Sequence, residues 1–495
     1  MKQTTSILDA IRRELNVAHT ENGDVACATS GSFCLDLFSL IGGMRNNIKS
    51  AGKLFVRALL ENPVTAIKIL FYTRDIRNGL GERKLFRILF LHLVVSNPEI
   101  AKKVLKEIPP YGRWDDLLVV LDTPLKDDVI EIIKSQLAED EKNLKEGKEI
   151  SLLGKWLPSI NTSSISARHY AKVLMNGLGL KPAEYRKLCT RLRKEIKIIE
   201  NNLRRKDYTF DYSKQPSQAM LKYRKSFYRN DSERYSRFLS DVQSGKETMN
   251  VKTLYPYQIV SAYGGIYYIK DEDESLEAAW KSLDRGSFDS KTLVVRDGSG
   301  SMTIGPNGFK PIDVATSLTL LFAEQLKGIF KNKFITFSSN PQFIEIPDTV
   351  TTLRQKLMYL ESFNDCTNTN IAKVYNLLLN IAVNAEVPKE EMIERVLIIS
   401  DMEFDYIDSE RSTYEYYKKA FNDAGYELPE IVFWNVCARN VHTPVTKDER
   451  GVKLVSGASG NIFSSVLTGD LKEITPEQFM LQILEPYKNF DEILK

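Results

Sequence analysis

The chain has 495 residues, 43% hydrophobic and 27% charged, the balance of a folded soluble protein of two to four domains rather than a disordered one. The net charge of +3 hides an asymmetry: residues 1–285 carry 47 Lys+Arg against 36 Asp+Glu, and residues 286–495 carry 21 against 29. A basic part joined to an acidic part points the first toward a polyanion, while the absence of a long apolar run argues against a membrane span.

Up to about residue 280 the pattern is helical. Apolar residues recur at three- and four-residue spacing over 54–72 (interrupted at Asn62-Pro63), 84–95, 129–137, 170–175 and 185–203. Breakers separate these stretches at 78–81 (NGLG), 109–112 (PPYG) and 180–182 (LKP). No β-alternating stretch of useful length stands among them. Many amphipathic helices with short connections predict a HEAT-like helical array over residues 1–285.

After Gly286 the period changes. Short runs rich in β-branched and aromatic residues occur at 292–295, 334–337, 396–399, 431–436 and 452–455. Helical patterns fill the gaps at 311–327, 370–383, 410–424 and 461–467. Strand and helix in alternation predict a doubly wound, Rossmann-like α/β domain over 286–495, with a mainly parallel sheet. Ligands of such sheets sit at the carboxyl ends of the strands, so chemistry is expected just after the apolar runs.

That is where the polar residues fall. After the first run come Asp297, Gly298, Ser299, Gly300 and Ser301, and after the third come Asp401, Met402 and Glu403. Between them, before a helical pattern, lies 365–370 (DCTNTN). Hydroxyls and carboxylates without nitrogen or sulfur suit a hard cation such as Mg²⁺ or another divalent ion. The D-x-S-x-S, then Thr, then Asp order resembles the metal-ion-dependent adhesion site of von Willebrand factor A domains. The resemblance implies Asp297, Ser299, Ser301, Asp401 and either Thr367 or Thr369 as ligands, with an acidic group of a protein partner able to complete the shell. Arg296 and Cys366 depart from the usual neutral residue and glycine of that pattern.

Enzymatic readings compete poorly. A phosphoaspartate phosphatase wants D-x-D where residue 299 is Ser, and a hydrolase elbow wants G-x-S-x-G. Gly79-Leu80-Gly81 is followed by no G-K-[ST]. The four histidines make no HExxH, and the five cysteines no CxxC, which excludes histidine-based metal hydrolysis and points to a reducing, cytoplasmic compartment. No apolar signal core follows Met1-Lys2-Gln3, so secretion is not expected.

The segments 396–405 (VLIISDMEFD), 430–435 (EIVFWN) and 455–459 (VSGAS) resemble a domain-of-unknown-function family of plant, viral and phage proteins. So do 71–77 (FYTRDIR) with 81–83 (GER), 112–116 (GRWDD), 215–220 (QPSQAM) and 231–234 (DSER). A helical array followed by a von Willebrand A domain is also similar in architecture to the Ro autoantigen family, with its TROVE domain. That likeness implies a non-enzymatic ribonucleoprotein component binding small or structured noncoding RNA and its single-stranded ends.

The basic residues can be set beside this. Arg186, Lys187, Arg191, Arg193, Lys194, Lys197, Arg204, Arg205 and Lys206 crowd one helical stretch. Lys222, Arg224 and Lys225 interleave with Tyr223, Phe227 and Tyr228, while Arg74, Arg77 and Arg83 surround the Gly79–Gly81 turn. Cations of this kind attract phosphates, and aromatic faces can stack on unpaired bases. A solvated helix face, aromatics packed inward and arginines paired with Asp75 and Glu82 are the structural alternatives. The expectation is therefore an RNA-binding protein with a Mg²⁺-binding domain; the alternative is a protein adaptor or viral or phage assembly component.

Overall fold

The computed structural model describes residues 15–196, 198–283, 286–288, 290–305, 309–337, 341–363, 370–407, 412–467 and 474–495. The N-terminal part is a helical array, as expected. Its first helices, Phe33–Ile41, Ile48–Glu61, Pro63–Arg74 and Arg83–Ser96, pack on one another in succession. The predicted 54–72 helix is two helices because Asn62 ends one and starts the next. Its side chain accepts the Thr65 amide at 3.0 Å, and Pro63 takes the first helical position, where no amide hydrogen is needed. Asn97-Pro98 repeats the device. Gly79 closes the following turn, since a Cβ there would lie 2.1 Å from Tyr72 O.

Two features depart from the sequence expectation. Residues Val17–His19 (β1) and Val25–Cys27 (β2) form an antiparallel hairpin ahead of the array. Three residues are too few to show a period. The 185–203 stretch is likewise not one helix: Pro182–Glu195 stops at Ile196, whose backbone is extended, and Ile199–Arg205 begins anew.

The C-terminal part carries the sheet. Its strands are Thr292–Asp297 (β3), Lys333–Phe337 (β4), Gln342–Glu345 (β5), Arg395–Ser400 (β6), Glu430–Asn435 (β7) and Val452–Ser456 (β8), in spatial order β5-β4-β3-β6-β7-β8. All neighbours are parallel except β4 and β5. The apolar runs mark five of these strands because β3, β6, β7 and β8 are buried throughout, as strands covered on both faces are. Edge strand β5 escapes that reading because three of its four residues face solvent. Trp434 packs on Phe322 and Phe463 while its neighbour Phe433 meets Phe404 and Tyr414. Successive residues of a strand point to opposite faces, so helices Pro311–Gln325 and Thr413–Asp423 lie on the two sides of the sheet.

Numbered within the sheet, the order is 3-2-1-4-5-6, and its direction reverses between β3 and β6. The crevice outside their carboxyl ends is the ligand position of an open α/β sheet. The predicted boundary falls between helix Glu274–Lys281 and β3, and the chain crosses back over it at both ends. Helix Phe33–Ile41 packs on β8, and β2 bridges Cys27 to Thr443. Helix Asn489–Ile493 returns to the array, with the Phe490 ring 4.4 Å from Phe71. The first and last parts of the array also meet: Tyr255 donates to Leu80 O, and Arg45, which donates to Glu82 at 2.8 Å, also donates to the Tyr257 hydroxyl at 3.3 Å.

Candidate functional site

The loops after β3 and β6 lie side by side because their strands pair from Thr292–Arg395 to Arg296–Ile399. This register brings together the four described residues of the expected cation site. Asp297 is fully buried; Oδ1 accepts the Ser299 amide at 2.8 Å and Oδ2 the Ser400 hydroxyl at 2.6 Å. Ser299 and Ser301 hydroxyls stand 3.0 Å apart, and Ser301 donates to Asp401 Oδ2 at 2.7 Å. Met402, with φ 65°, turns the chain sharply after Asp401, an uncommon conformation for a residue with a side chain. Thr367 and Thr369 lie outside the described residues.

The electrostatics suit a positive charge here. Burial, and then the neighbouring charge of Asp401, raise the Asp297 carboxyl above its ordinary range, against the hydrogen bonds of Ser400 and Ser299. Burial likewise raises Asp401, opposed first by Arg439 and then by Ser301. Among the described residues no group of three or more His, Cys, Asp or Glu side chains could hold a metal ion. The set here is two carboxylates and two hydroxyls. Its all-oxygen donors fit a hard cation that keeps several waters, not zinc or copper.

Sequence reasoning missed what lies over this crevice. Arg439, just after β7, donates from Nη2 to Asp401 Oδ2 at 2.8 Å, and the same nitrogen is 3.0 Å from Glu21 Oε2. The hairpin carrying Glu21 is pinned to the β6 loop. Glu403 accepts the Glu21 amide at 2.7 Å and faces His442 at 3.2 Å, while Asn22 donates to Glu403 O at 2.7 Å. Glu21 and Asn22 are more than 380 residues from Glu403, and Arg439 and His442 are 38 and 39 residues from Asp401 and Glu403, so spacing gave no signal for them. Glu403 alone stood inside a segment already singled out.

The basic residues divide into two groups. Helix Pro182–Glu195 buries Tyr185, Cys189 and Leu192 and turns the opposite face outward. Arg186, Lys187, Arg191 and Lys194 share that face with Thr190 and Glu195. Arg191 pairs with Glu141. Arg186, Lys187, Lys194, Arg204, Arg205 and Lys225 are exposed and make no hydrogen bond or ion pair among the described residues. Lys222 lies 4.9 Å over the Tyr223 ring, and Lys197 lies outside the described residues.

The second group has partners within the protein. Arg74 is buried and donates to Asp116 at 2.7 Å, where Arg87 also binds. Arg193 donates to Gly154 O and Leu157 O, and Arg224 to Asp273 and Leu221 O. Arg77 donates to Pro110 O at 3.2 Å, and Arg83 lies 3.7 Å from Asp115. Arg74 thus pairs with Asp116 rather than with Asp75. Phe227 is buried against Phe210, Tyr212 and Tyr235, with Tyr223 and Tyr228 half-buried beside it, so these aromatics pack inward.

Comparison with known proteins adds the family. Residues 20–136 and 123–289 match a domain of unknown function (DUF2828), and residues 291–486 match a second one (DUF7788). The chain is 31% identical to an uncharacterized protein of Acanthamoeba polyphaga mimivirus, over 95% of this chain and 88% of that protein. The chain belongs to the DUF2828 family. Among solved structures, the RO (RSR) protein of Deinococcus radiodurans aligns over 91% of this chain and 93% of that one, with 12% identity and a TM-score of 0.34. Among the described residues, no helix is long and apolar enough to cross a membrane.

Proposed function

We propose that the protein is a cytoplasmic, non-enzymatic RNA-binding protein of Ro-like organisation. Its helical array takes RNA, and its sheet domain, of von Willebrand A type, holds Mg²⁺ or another divalent cation at Asp297, Ser299, Ser301 and Asp401. The observation that carries the RNA reading is the outward face of helix Pro182–Glu195. Arg186, Lys187 and Lys194 are exposed there, and Arg204 and Arg205 are exposed on the next helix. Cations paired inside the protein serve folding; cations left unpaired on one face are available to phosphates. The 3-2-1-4-5-6 order, with Asp297 and Asp401 at its switch point, supports the cation reading. The free thiols of Cys27, Cys34, Cys189 and Cys437 suit a reducing compartment.

A protein adaptor, whose cation is completed by an acidic residue of a partner, is the competing reading. The exposed cations of helix Pro182–Glu195, unpaired among the described residues, favour RNA over it, because the adaptor reading gives them no role. The test is binding of the purified protein to a labelled RNA carrying a duplex and a single-stranded 3′ tail, over a salt series, with Mg²⁺ or chelator. Tight binding with a steep salt slope is expected, and Arg186→Glu, Lys187→Glu and Lys194→Glu together should lower that slope by about 2. No binding at low salt, or an unchanged slope in the triple variant, would overturn the RNA reading.

A further inference from the structure

The hydrogen bonds around Asp401 fill one of its two carboxylate oxygens, Oδ2. Oδ2 accepts two donors, the Ser301 hydroxyl at 2.7 Å and Arg439 Nη2 at 2.8 Å, and Oδ1 accepts the Glu403 amide at 3.2 Å. A carboxylate oxygen has two lone pairs, so Oδ2 can face a cation only when one donor leaves. Ser301 sits in the 3-10 turn Gly300–Thr303 just after β3 and is itself one of the proposed ligands. Arg439 is the movable one: its side chain is long and 31% exposed, and its Nε is buried without a hydrogen-bond partner among the described residues. An unsatisfied buried donor makes the inward position costly to hold. Glu21, 45% exposed, gives the departing guanidinium a carboxylate to remain with.

We propose that Arg439 is a tethered internal cation that competes with divalent ions for Asp401, with Glu21 of the N-terminal hairpin as its second anchor. The proposal rests on the reading of Asp297, Ser299, Ser301 and Asp401 as a cation site and adds its regulation. Divalent ion and guanidinium exclude each other at Asp401 Oδ2. Cation entry therefore breaks the link from the β6 loop through Arg439 to the hairpin, and a firmly docked hairpin opposes cation entry. The latch is a charge swap: one positive group leaves the carboxylate as another arrives, with no covalent change.

The experiment is Mn²⁺ binding to the full-length protein, read by the electron paramagnetic resonance signal of free Mn²⁺. Wild type, Arg439→Ala, Arg439→Gln and Asp297→Ala are compared, with far-UV circular dichroism melts confirming that each is folded. Removing the competitor should tighten Mn²⁺ binding about tenfold or more in both Arg439 variants, the scale of one charge-assisted hydrogen bond; Asp297→Ala should abolish it. Equal or weaker binding by folded Arg439 variants, with wild type binding and Asp297→Ala not, overturns the latch and leaves the cation site standing. Should no variant bind Mn²⁺, or should Asp297→Ala bind as wild type does, site and latch fall together. Arg439→Gln keeps the proposal testable if the shorter alanine does not fold.

Discussion

Lys453 is a charged side chain taken into the sheet edge. Its nitrogen lies 2.9 Å from Ser465 O, 3.1 Å from Val466 O and 4.5 Å from the centre of the Phe479 ring. Burial, and then the nearby Arg395, lower its pKa from the ordinary 10.5 to about 7. The unfolded chain keeps this proton up to the ordinary value, so between those limits it binds more protons than the folded one, and stability rises with pH. From pH 7 to 9 this residue should add about 2 kcal/mol. Urea unfolding of wild type and Lys453→Met at the two pH values checks it: the variant's relative advantage should shrink at pH 9, and parallel curves would refute the assignment. The same scale shows what sequence could not carry. Arg74 and Arg186 read alike as candidate phosphate contacts, yet Asp116, which claims Arg74, is 42 residues away. Charge is written in the residue; the partner that neutralises it is written in the fold.

Among the elements, the strands of the buried sheet were legible because two covered faces demand continuous β-branched and aromatic runs. The hairpin and β5 were not, since short or exposed strands carry little apolar pattern. The two loops that bring Asp297 and Asp401 together were legible for a related reason: glycines and hydroxyls after a buried strand mark a polar turn at its carboxyl end. Helix Phe33–Ile41 shows how closely the elements meet. It ends at Gly42, where a Cβ would lie 2.6 Å from Gly457 N and from Ser456 C. Backbone cannot yield as a side-chain tip does. Gly42→Ala has an allowed backbone, φ −66°, yet should destabilise the protein by about 1–3 kcal/mol through overpacking alone. Thermal melts decide; an unchanged midpoint would mean the helix slides on the sheet without cost.

At the scale of the molecule, the division into a basic and an acidic part was legible from composition, but the way each reaches into the other was not. The C-terminal helices tie the two parts together: Pro476–Ile483 packs on β8 and on helix Phe33–Ile41, and the segment after it packs on the array. Phe479, Met480, Ile483, Leu484, Tyr487 and Phe490 are buried, and Tyr487 donates to Asp75 at 3.2 Å. Burying such side chains is worth about 1.5–3 kcal/mol each, together comparable to the whole stability of a protein, about 5–15 kcal/mol. A chain ending at residue 473 should therefore lose its cooperative melt by circular dichroism, and a sharp transition in that truncation would show the array standing without its last helices.

The bonds from Thr20 to Phe404 and from Gly42 to Ser456 join residues 384 and 414 positions apart. A ribosome adding about 5–20 residues per second delivers the first partner tens of seconds before the second. Throughout that interval helix Phe33–Ile41, with eight of its nine residues destined for burial, has no sheet to lie on. Its contacts with the following helices can form early, but the face that meets β8 stays uncovered until that strand leaves the exit tunnel. Synthesis in the presence of holding chaperones, or at low temperature, is the condition under which this protein should be obtained in its folded form.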